Sequence, residues 1–402
     1  MRNFKEDFPL LMSHDVAYLD SAATAQRPQC VMDAMQDFYA NHNANPLRGF
    51  YDLATEATDA YEDARVCVKD FIHAGKTSEI IFTRNTTESI NLVAYSYGLN
   101  NLKQGDRIVV TIAEHHSNML PWQMVARQTG AELYYLECEQ DGSYTDDAIR
   151  SAITPNTKLS AIQHVSNVLG TVTPVEQIIS LVHANGGVVL LDGAQSAPHM
   201  PVDVQALDAD FFAFSGHKLM APMGIGVLYG KEALLKAMPP FLSGGEMIDS
   251  VTRDGAVFAQ LPHKFEAGTV NAGGAVGLMA AIKYLQSVGF DTIEQREQEL
   301  TRYAYAKLSA IPGVHIVGST DPDRHNGILS FLVDDVHPHD IAAILSADGV
   351  CIRAGHHCAQ PLLTHLGISS CTRASISFYN TVEDIDHLVN SLASVRRMMG
   401  LG

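Results

Sequence analysis

The sequence predicts an α/β protein built on a mostly parallel sheet, with a large domain followed by a smaller α/β domain. Three observations carry that prediction. Short β-branched runs alternate with helical patterns from about 107 to 230, the arrangement in which helices cover a sheet. Several of those runs are apolar at consecutive positions, as strands buried on both faces are. The alternation then restarts near 327, after a long helical stretch.

In chain order, RIVVTIA (107–113), ELYYLEC (132–138), KLSAIQHVS (158–166), GVVLLDGA (187–194), DFFAFSG (210–216) and GIGVLYG (224–230) read as strands. Helical patterns at 117–129 and 175–185 lie between them, each closed by a glycine soon after. A helical stretch over 272–308 leads into the second set. There GILSFLVDD (327–335), VCIRAG (350–355) and TRASISFYN (372–380) read as strands and HDIAAILSADG (339–349) as a helix. A last helix opens at Thr381, where Asp384 completes a capping-box pattern. The expected division is a large domain over 15–280 and a small one over 281–402, with residues 1–14 packing on the small one.

Composition narrows the function. A chain of 402 residues exceeds one small core. Its 46% apolar content and mean hydropathy near zero describe a soluble globular protein. A formal charge of −18 argues against nucleic acid and against anionic membrane surfaces, both of which demand clustered Lys and Arg. No apolar run reaches the roughly 18 residues of a membrane span, and MRNFKEDFPLLMSHDV lacks a signal-peptide core. Six irregularly spaced cysteines suit reduced thiols in a cytoplasm better than a disulfide framework. Four of them, Cys30, Cys67, Cys138 and Cys371, sit among apolar residues and read as small buried hydrophobes.

The strongest chemical signal is DGAQ followed by FSGHK, each just after a predicted strand and so at the sheet edge where α/β ligands bind. Alone, Asp192 would cap a loop and Lys218 would be a surface lysine. Together they suit pyridoxal phosphate, which takes a lysine as a Schiff base and an acid to keep its ring nitrogen protonated. Lys218 and Asp192 fill those two roles, Gln195 donates to the ring oxygen, and Ser215 and His217 donate to the phosphate. Upstream, Thr86 and Thr87 precede an apolar-periodic helix expected from about Glu88, where hydroxyls and free N–H groups cradle a phosphate or simply cap the helix. His115, in EHHSN, follows a strand and is placed to stack on the ring. Asn167, in HVSNVLG, ends the next strand within reach of cofactor and substrate.

RAGHHCAQP holds Cys358, which is open to three readings: nucleophile, packing residue or metal ligand. Cys351, His356, His357 and Cys358 form the metal alternative, a zinc-bound assembly scaffold without catalysis. Adjacent histidines converge poorly on one tetrahedral ion, so no metal site is expected.

LDSAA, TTESIN, EHHSN, HVSNVLG, DGAQ, FSGHK, FEAGT and RAGHHCAQP together resemble, in order, the motifs of class V pyridoxal-phosphate enzymes. More narrowly, the chain is similar to the SUF-type (group II) cysteine desulfurases and related selenocysteine lyases. The resemblance covers nearly the whole sequence. It implies the fold type I architecture, with a seven-stranded-type sheet in the large domain, and a homodimer. It implies a reaction that takes sulfur from L-cysteine, leaves alanine, and passes a persulfide to an acceptor protein of the SUF iron–sulfur assembly system.

By the same resemblance, Cys358 is the persulfide-forming nucleophile, with Lys218 and His115 as catalytic partners. Arg373 grips the substrate carboxylate, with Arg353 as a second active-site arginine, and Thr269 reaches the neighbouring subunit's phosphate. A thiolate nucleophile calls for nearby positive charge, expected from Arg353, His356 and His357. Leu47, Met220, Met223, Ser243 and Val270 depart from the commonest family pattern without removing a reacting group. A selenocysteine lyase or cysteine-sulfinate desulfinase is the nearest alternative on the same scaffold.

Overall fold

The computed structural model describes residues 2–401. A seven-stranded sheet runs in the order Ile80–Thr83, Gly226–Gly230, Phe211–Ser215, Val188–Asp192, Thr157–Gln163, Arg107–Thr111, Glu132–Leu136. All neighbours are parallel except Gly226–Gly230, which is antiparallel to both strands beside it. The strand Ile80–Thr83 went unread in the sequence because its four residues carry no alternation and follow a short polar turn.

Apolar residues on consecutive positions do what the pattern predicts. Val189 and Leu191 enter one core cluster, Val188 and Leu190 the opposite one. Each fully buried side chain of this kind contributes about 2 kcal/mol, so the central strands are held from both faces. Their carboxyl ends, at Asp192 and Ser215, therefore stand on strands packed from both sides.

The expected helix over 272–308 is two helices, Ala272–Val288 and Phe290–Ser309, divided at Gly289 with φ 85°. That left-handed backbone is cheap only for glycine. The pattern at 117–129 likewise splits into a short 3-10 turn, His116–Asn118, and the helix Leu120–Thr129.

A second sheet of four antiparallel strands follows, in the order Val314–Ile316, Ile328–Val333, Cys371–Ser375, Arg353–Gly355. VCIRAG is not one strand: Val350–Cys351 pairs in parallel with Ala17–Tyr18, and Arg353–Gly355 joins Cys371–Ser375. The last helix, Val382–Met398, opens with the expected capping box, Thr381 accepting from the Asp384 N–H and Asp384 from the Thr381 N–H. Near the start, Phe8 packs on Tyr379 with ring centroids 4.5 Å apart, and Lys5 pairs with Asp384 at 2.7 Å. Among the described residues, no helix is long and apolar enough to cross a membrane.

Candidate active site

Of the cofactor, substrate and catalytic residues expected from the sequence, all but Thr269 border one cavity of about 240 Å³ between the two sheets; His356, expected to add positive charge there, does not. The floor comes from the large sheet. Asp192 ends one strand and Ser215 the next, and a 3-10 turn, Gly216–Lys218, carries the lysine inward. Asp192 is buried, and desolvation raises its pKa against the opposing pull of the Ala194 N–H and of Lys218. Lys218 is crowded by protein atoms, and desolvation lowers its pKa to about 8, with Asp192 resisting.

The helix beside the floor, Thr86–Val93, starts two residues earlier than expected, because Asn85 rather than a threonine caps it by accepting from the Glu88 N–H. A Cβ at Gly226 would lie 2.5 Å from Asn85 Cα, so the missing side chain is what lets this helix start come down to the sheet. The Thr86 N–H donates to Ser215 Oγ at 2.8 Å, their hydroxyls meet at 2.7 Å, and the Thr87 and Ser117 hydroxyls meet at 2.8 Å. These two hydroxyl pairs stand at a helix start, a setting suited to an anion. His115 accepts from the Ser117 N–H, and burial lowers its pKa to about 3, so its ring is neutral. His217 is lowered to about 4 for the same reason.

The set fits pyridoxal phosphate on the structure's own terms. A buried carboxylate faces the cavity, the Gln195 Oε1 is buried without a partner while its Nε2 donates to the Ala22 carbonyl, and the lysine amine is pushed toward its neutral form. A ring with a proton on nitrogen, a hydroxyl able to donate to Gln195 Oε1 and a carbonyl carbon answers all three, although the Gln195 Nε2 expected to donate to the ring oxygen is turned to Ala22.

The rim comes from the second sheet. Gly355, His357 and Cys358 have φ of 125°, 50° and 56°, so two non-glycine residues in a row are left-handed. Such backbone persists only where its surroundings hold it. Here the His116 N–H donates to the Cys358 carbonyl at 2.6 Å, Asn167 Nδ2 to the His357 carbonyl at 2.7 Å, and the Gln360 N–H to His116 Nε2 at 3.2 Å. The loop is strapped to the large sheet, and the Cys358 side chain is left exposed at the cavity mouth.

Arg373 and Arg353 are direct cross-strand partners, and Asp20 sits against both, 3.2 Å from each. Arg373 is only 2% exposed and its Nε has no partner, which leaves a buried donor for a ligand carboxylate.

Several expectations change. His357 is buried, and desolvation lowers its pKa to about 3, so it supplies no positive field to Cys358; Arg353 and Arg373 are the charged neighbours. The Asn167 amide is spent on the Cys358 loop, although its Oδ1 stays unpartnered. Cys30 is exposed, near the start of its helix, and Cys67 is half-buried at the edge of the main core cluster; Cys138 and Cys371 are buried as expected. Thr269 is exposed and borders a separate cavity with Arg84 and Glu88. Among the departures, Met220 is buried with φ 63°, Leu47 has φ 77°, Val270 is half-buried, and Met223 and Ser243 are exposed. Among the described residues, no three His, Cys, Asp or Glu side chains are placed to share a metal ion, Cys351, His356, His357 and Cys358 included.

Asp20 and Glu114 went unread, and His116 was read only with His115 as an unfavourable metal pair. Asp20 and His116 lie in quoted motifs but act through contacts some hundreds of positions away. Glu114, wholly buried, accepts from Thr111 Oγ1, Asn118 Nδ2 and the Gln163 N–H, and burial raises its pKa to about 8. A carboxylate just past an apolar strand end, in the same EHHSN motif as His115, was the available signal.

The aminotransferase class-V family model matches residues 17–388. A protein of Halalkalibacterium halodurans named as a probable cysteine desulfurase is 51% identical over 400 residues, 98% of either chain. The crystal structure of a cysteine desulfurase from Escherichia coli is 42% identical, with a TM-score of 0.91 over 98% of each chain. An apo cysteine desulfurase from Thermococcus onnurineus NA1 is 41% identical, with a TM-score of 0.95 over 99% of each. The matched span takes in both sheets and most of the chain, and the chain therefore belongs to the aminotransferase class-V family.

Proposed function

We propose that this protein is a pyridoxal-phosphate-dependent cysteine desulfurase that converts L-cysteine to L-alanine and leaves the sulfur on Cys358. One observation carries the reading: a lysine–aspartate floor, a buried arginine with a free donor, and an exposed cysteine share a single 240 Å³ cavity. The names of the relatives support it.

Arg373 holds the substrate carboxylate, oriented through Nε, while Asn167 Oδ1 accepts from the substrate. Lys218 and Asp192 hold the cofactor with Gln195, and the hydroxyls of Thr86, Thr87 and Ser215 with His217 serve its phosphate. When bound, the cofactor supplies an electron sink for the substrate's α-carbon. The Lys218 amine, whose lowered pKa of about 8 leaves a useful neutral fraction near pH 7, takes and returns the α-proton. His115 presents a neutral ring that adds no charge. The Cys358 thiolate attacks the substrate sulfur with its own electron pair. An S–S bond forms as the C–S bond breaks, and the C–S pair stays on carbon and takes a proton, so cysteine plus thiol becomes alanine plus persulfide.

Cys358 ends on a short exposed loop, so an acceptor must dock at the cavity mouth to collect the sulfur. We assign that acceptor to the SUF type, feeding iron–sulfur assembly in the cytoplasm. The homodimer we propose is supported by exposed Phe50, Tyr51 and the hairpin residues Val257 and Phe258, with Thr269 facing the second copy.

The test is alanine release from L-cysteine with a thiol reductant, comparing wild type with Cys358→Ala. Loss of alanine and persulfide with cofactor absorbance intact is the expected result. A variant that still releases alanine, or still cleaves selenocysteine at the wild-type rate, would move the assignment to a selenocysteine lyase or sulfinate desulfinase.

A further inference from the structure

The strand Ile80–Thr83 lies at the edge of the seven-stranded sheet, with Gly226–Gly230 as its single neighbour. An edge strand turns alternate backbone groups outward with no strand to receive them. Here two side chains receive them. Arg65 and Glu266, at 0% and 2% side-chain exposure, form a buried ion pair against that edge. Glu266 Oε1 accepts from the Phe82 N–H at 2.7 Å, and Arg65 Nη1 donates to the Ile80 carbonyl at 2.8 Å. An acceptor and a donor thus meet the strand two residues apart, as a further strand would offer them.

The pair is complete in itself. Arg65 Nη1 and Nη2 donate to the two Glu266 oxygens at 2.7 and 2.9 Å, and the Tyr61 hydroxyl donates to Oε2 at 2.9 Å. Glu62 takes further guanidinium donors, and the Tyr61 and Phe82 rings flank the guanidinium with centroids 5.0 and 4.8 Å away. Burial alone would raise the Glu266 pKa, but Arg65 outweighs it and holds the carboxyl at about 2, so both partners are charged. Desolvation offsets most of what such a pair adds to stability. What the pair does fix is position.

Both sides of it lead toward phosphate groups. The edge strand runs through Arg84 to the Asn85 cap and the hydroxyls of Thr86 and Thr87. Glu266 belongs to the same FEAGT turn as Thr269, and Arg65 to the helix Asp52–Phe71, so strand, turn and helix are pinned at one point. Neither Arg65 nor Glu266 borders the active-site cavity, so any effect on it passes through the backbone.

We propose that Glu266, held by Arg65, is a positioning residue for the phosphate grip: it closes the edge of the strand that delivers Asn85, Thr86 and Thr87 and sets the Thr269 turn against it. This rests on the reading of those hydroxyls as the phosphate site.

The test compares binding of pyridoxal phosphate with binding of pyridoxal, which lacks the phosphate, to the full chain freed of cofactor, followed by Schiff-base absorbance. A role in the fold alone would weaken both ligands alike. Wild type should hold pyridoxal phosphate the more tightly. Glu266→Gln should weaken pyridoxal phosphate on the order of tenfold, as loss of about one hydrogen bond to a charged group would, and leave pyridoxal unchanged. Equal weakening of the two ligands, or of neither, overturns the proposal alone. Wild type with no preference for pyridoxal phosphate overturns it together with the phosphate reading of Thr86, Thr87 and Ser215. Should Glu266→Gln lack a cooperative thermal transition, Arg65→Met with Glu266→Leu decides. That uncharged pair fills the space and leaves no buried ion, yet it frees the strand edge. The same loss, confined to pyridoxal phosphate, is expected, and an unchanged preference overturns the proposal.

Discussion

Asp192 and Lys218 stand at the ends of neighbouring strands whose residues are buried on both faces, whereas Cys358 stands on an exposed left-handed loop beside a three-residue edge strand. The floor is held by packing from two core clusters. The rim is held by a few hydrogen bonds that cross from one sheet to the other, chiefly from His116 and Asn167. The contrast follows the work each does. The floor fixes a ring and a proton acceptor that never leave the protein. The rim must set a thiol against the substrate and then show it to something outside. Packing gives the first its rigidity; a loop held by a handful of removable bonds gives the second its reach.

The comparison can be broken most visibly through pH. If crowding at the floor sets the Lys218 amine near 8, capture of pyridoxal phosphate by the cofactor-free protein should rise about fiftyfold from pH 6 to pH 8, about double once more and level off above pH 9, because only the neutral amine attacks a carbonyl. A rise continuing toward pH 10.5, followed by stopped-flow absorbance, would mean the lysine is solvated and the floor is not what we describe. Next in size, Asn167→Ala leaves the His357 carbonyl without its donor. We expect kcat for alanine release to fall about tenfold or more, as a misplaced nucleophile would, with faster amide exchange over 356–359 while cofactor stays bound; unchanged exchange would show the strap to be idle. The smallest effect sharpens the rim itself. Cys358→Gly should be more stable than Cys358→Ala by about 1 kcal/mol in denaturant unfolding, the reverse of glycine's usual cost, because position 358 is left-handed.

The same contrast marks what was legible in the sequence. The floor was, almost residue by residue: strand-end Asp192 and Lys218 announce themselves through apolar runs that local periodicity exposes. The rim residues could be named by resemblance, but not their support. Nothing in RAGHHCAQP says that the Cys358 carbonyl takes the His116 N–H, or that Asp20 lies between Arg353 and Arg373. Register between distant strands decides such contacts, and a one-residue shift would turn those arginines to the other face. The neutral state of His357 was hidden for a related reason, since burial comes from the assembled fold rather than from neighbours in the chain.

The placement of residues 17–20 beside Val350–Cys351 and Ser375 also bears on how the protein is made. Those residues leave the ribosome more than 300 positions ahead of the strands that receive them. At about 5–20 residues per second the delay is on the order of 15 to 70 seconds. Throughout that interval the seven-stranded sheet, complete by Gly230, can form and take up its helices. The early segment meanwhile has no edge to join. The arginine pair and its aspartate thus assemble last, and a nascent chain does not acquire a working substrate site before translation has passed Ser375.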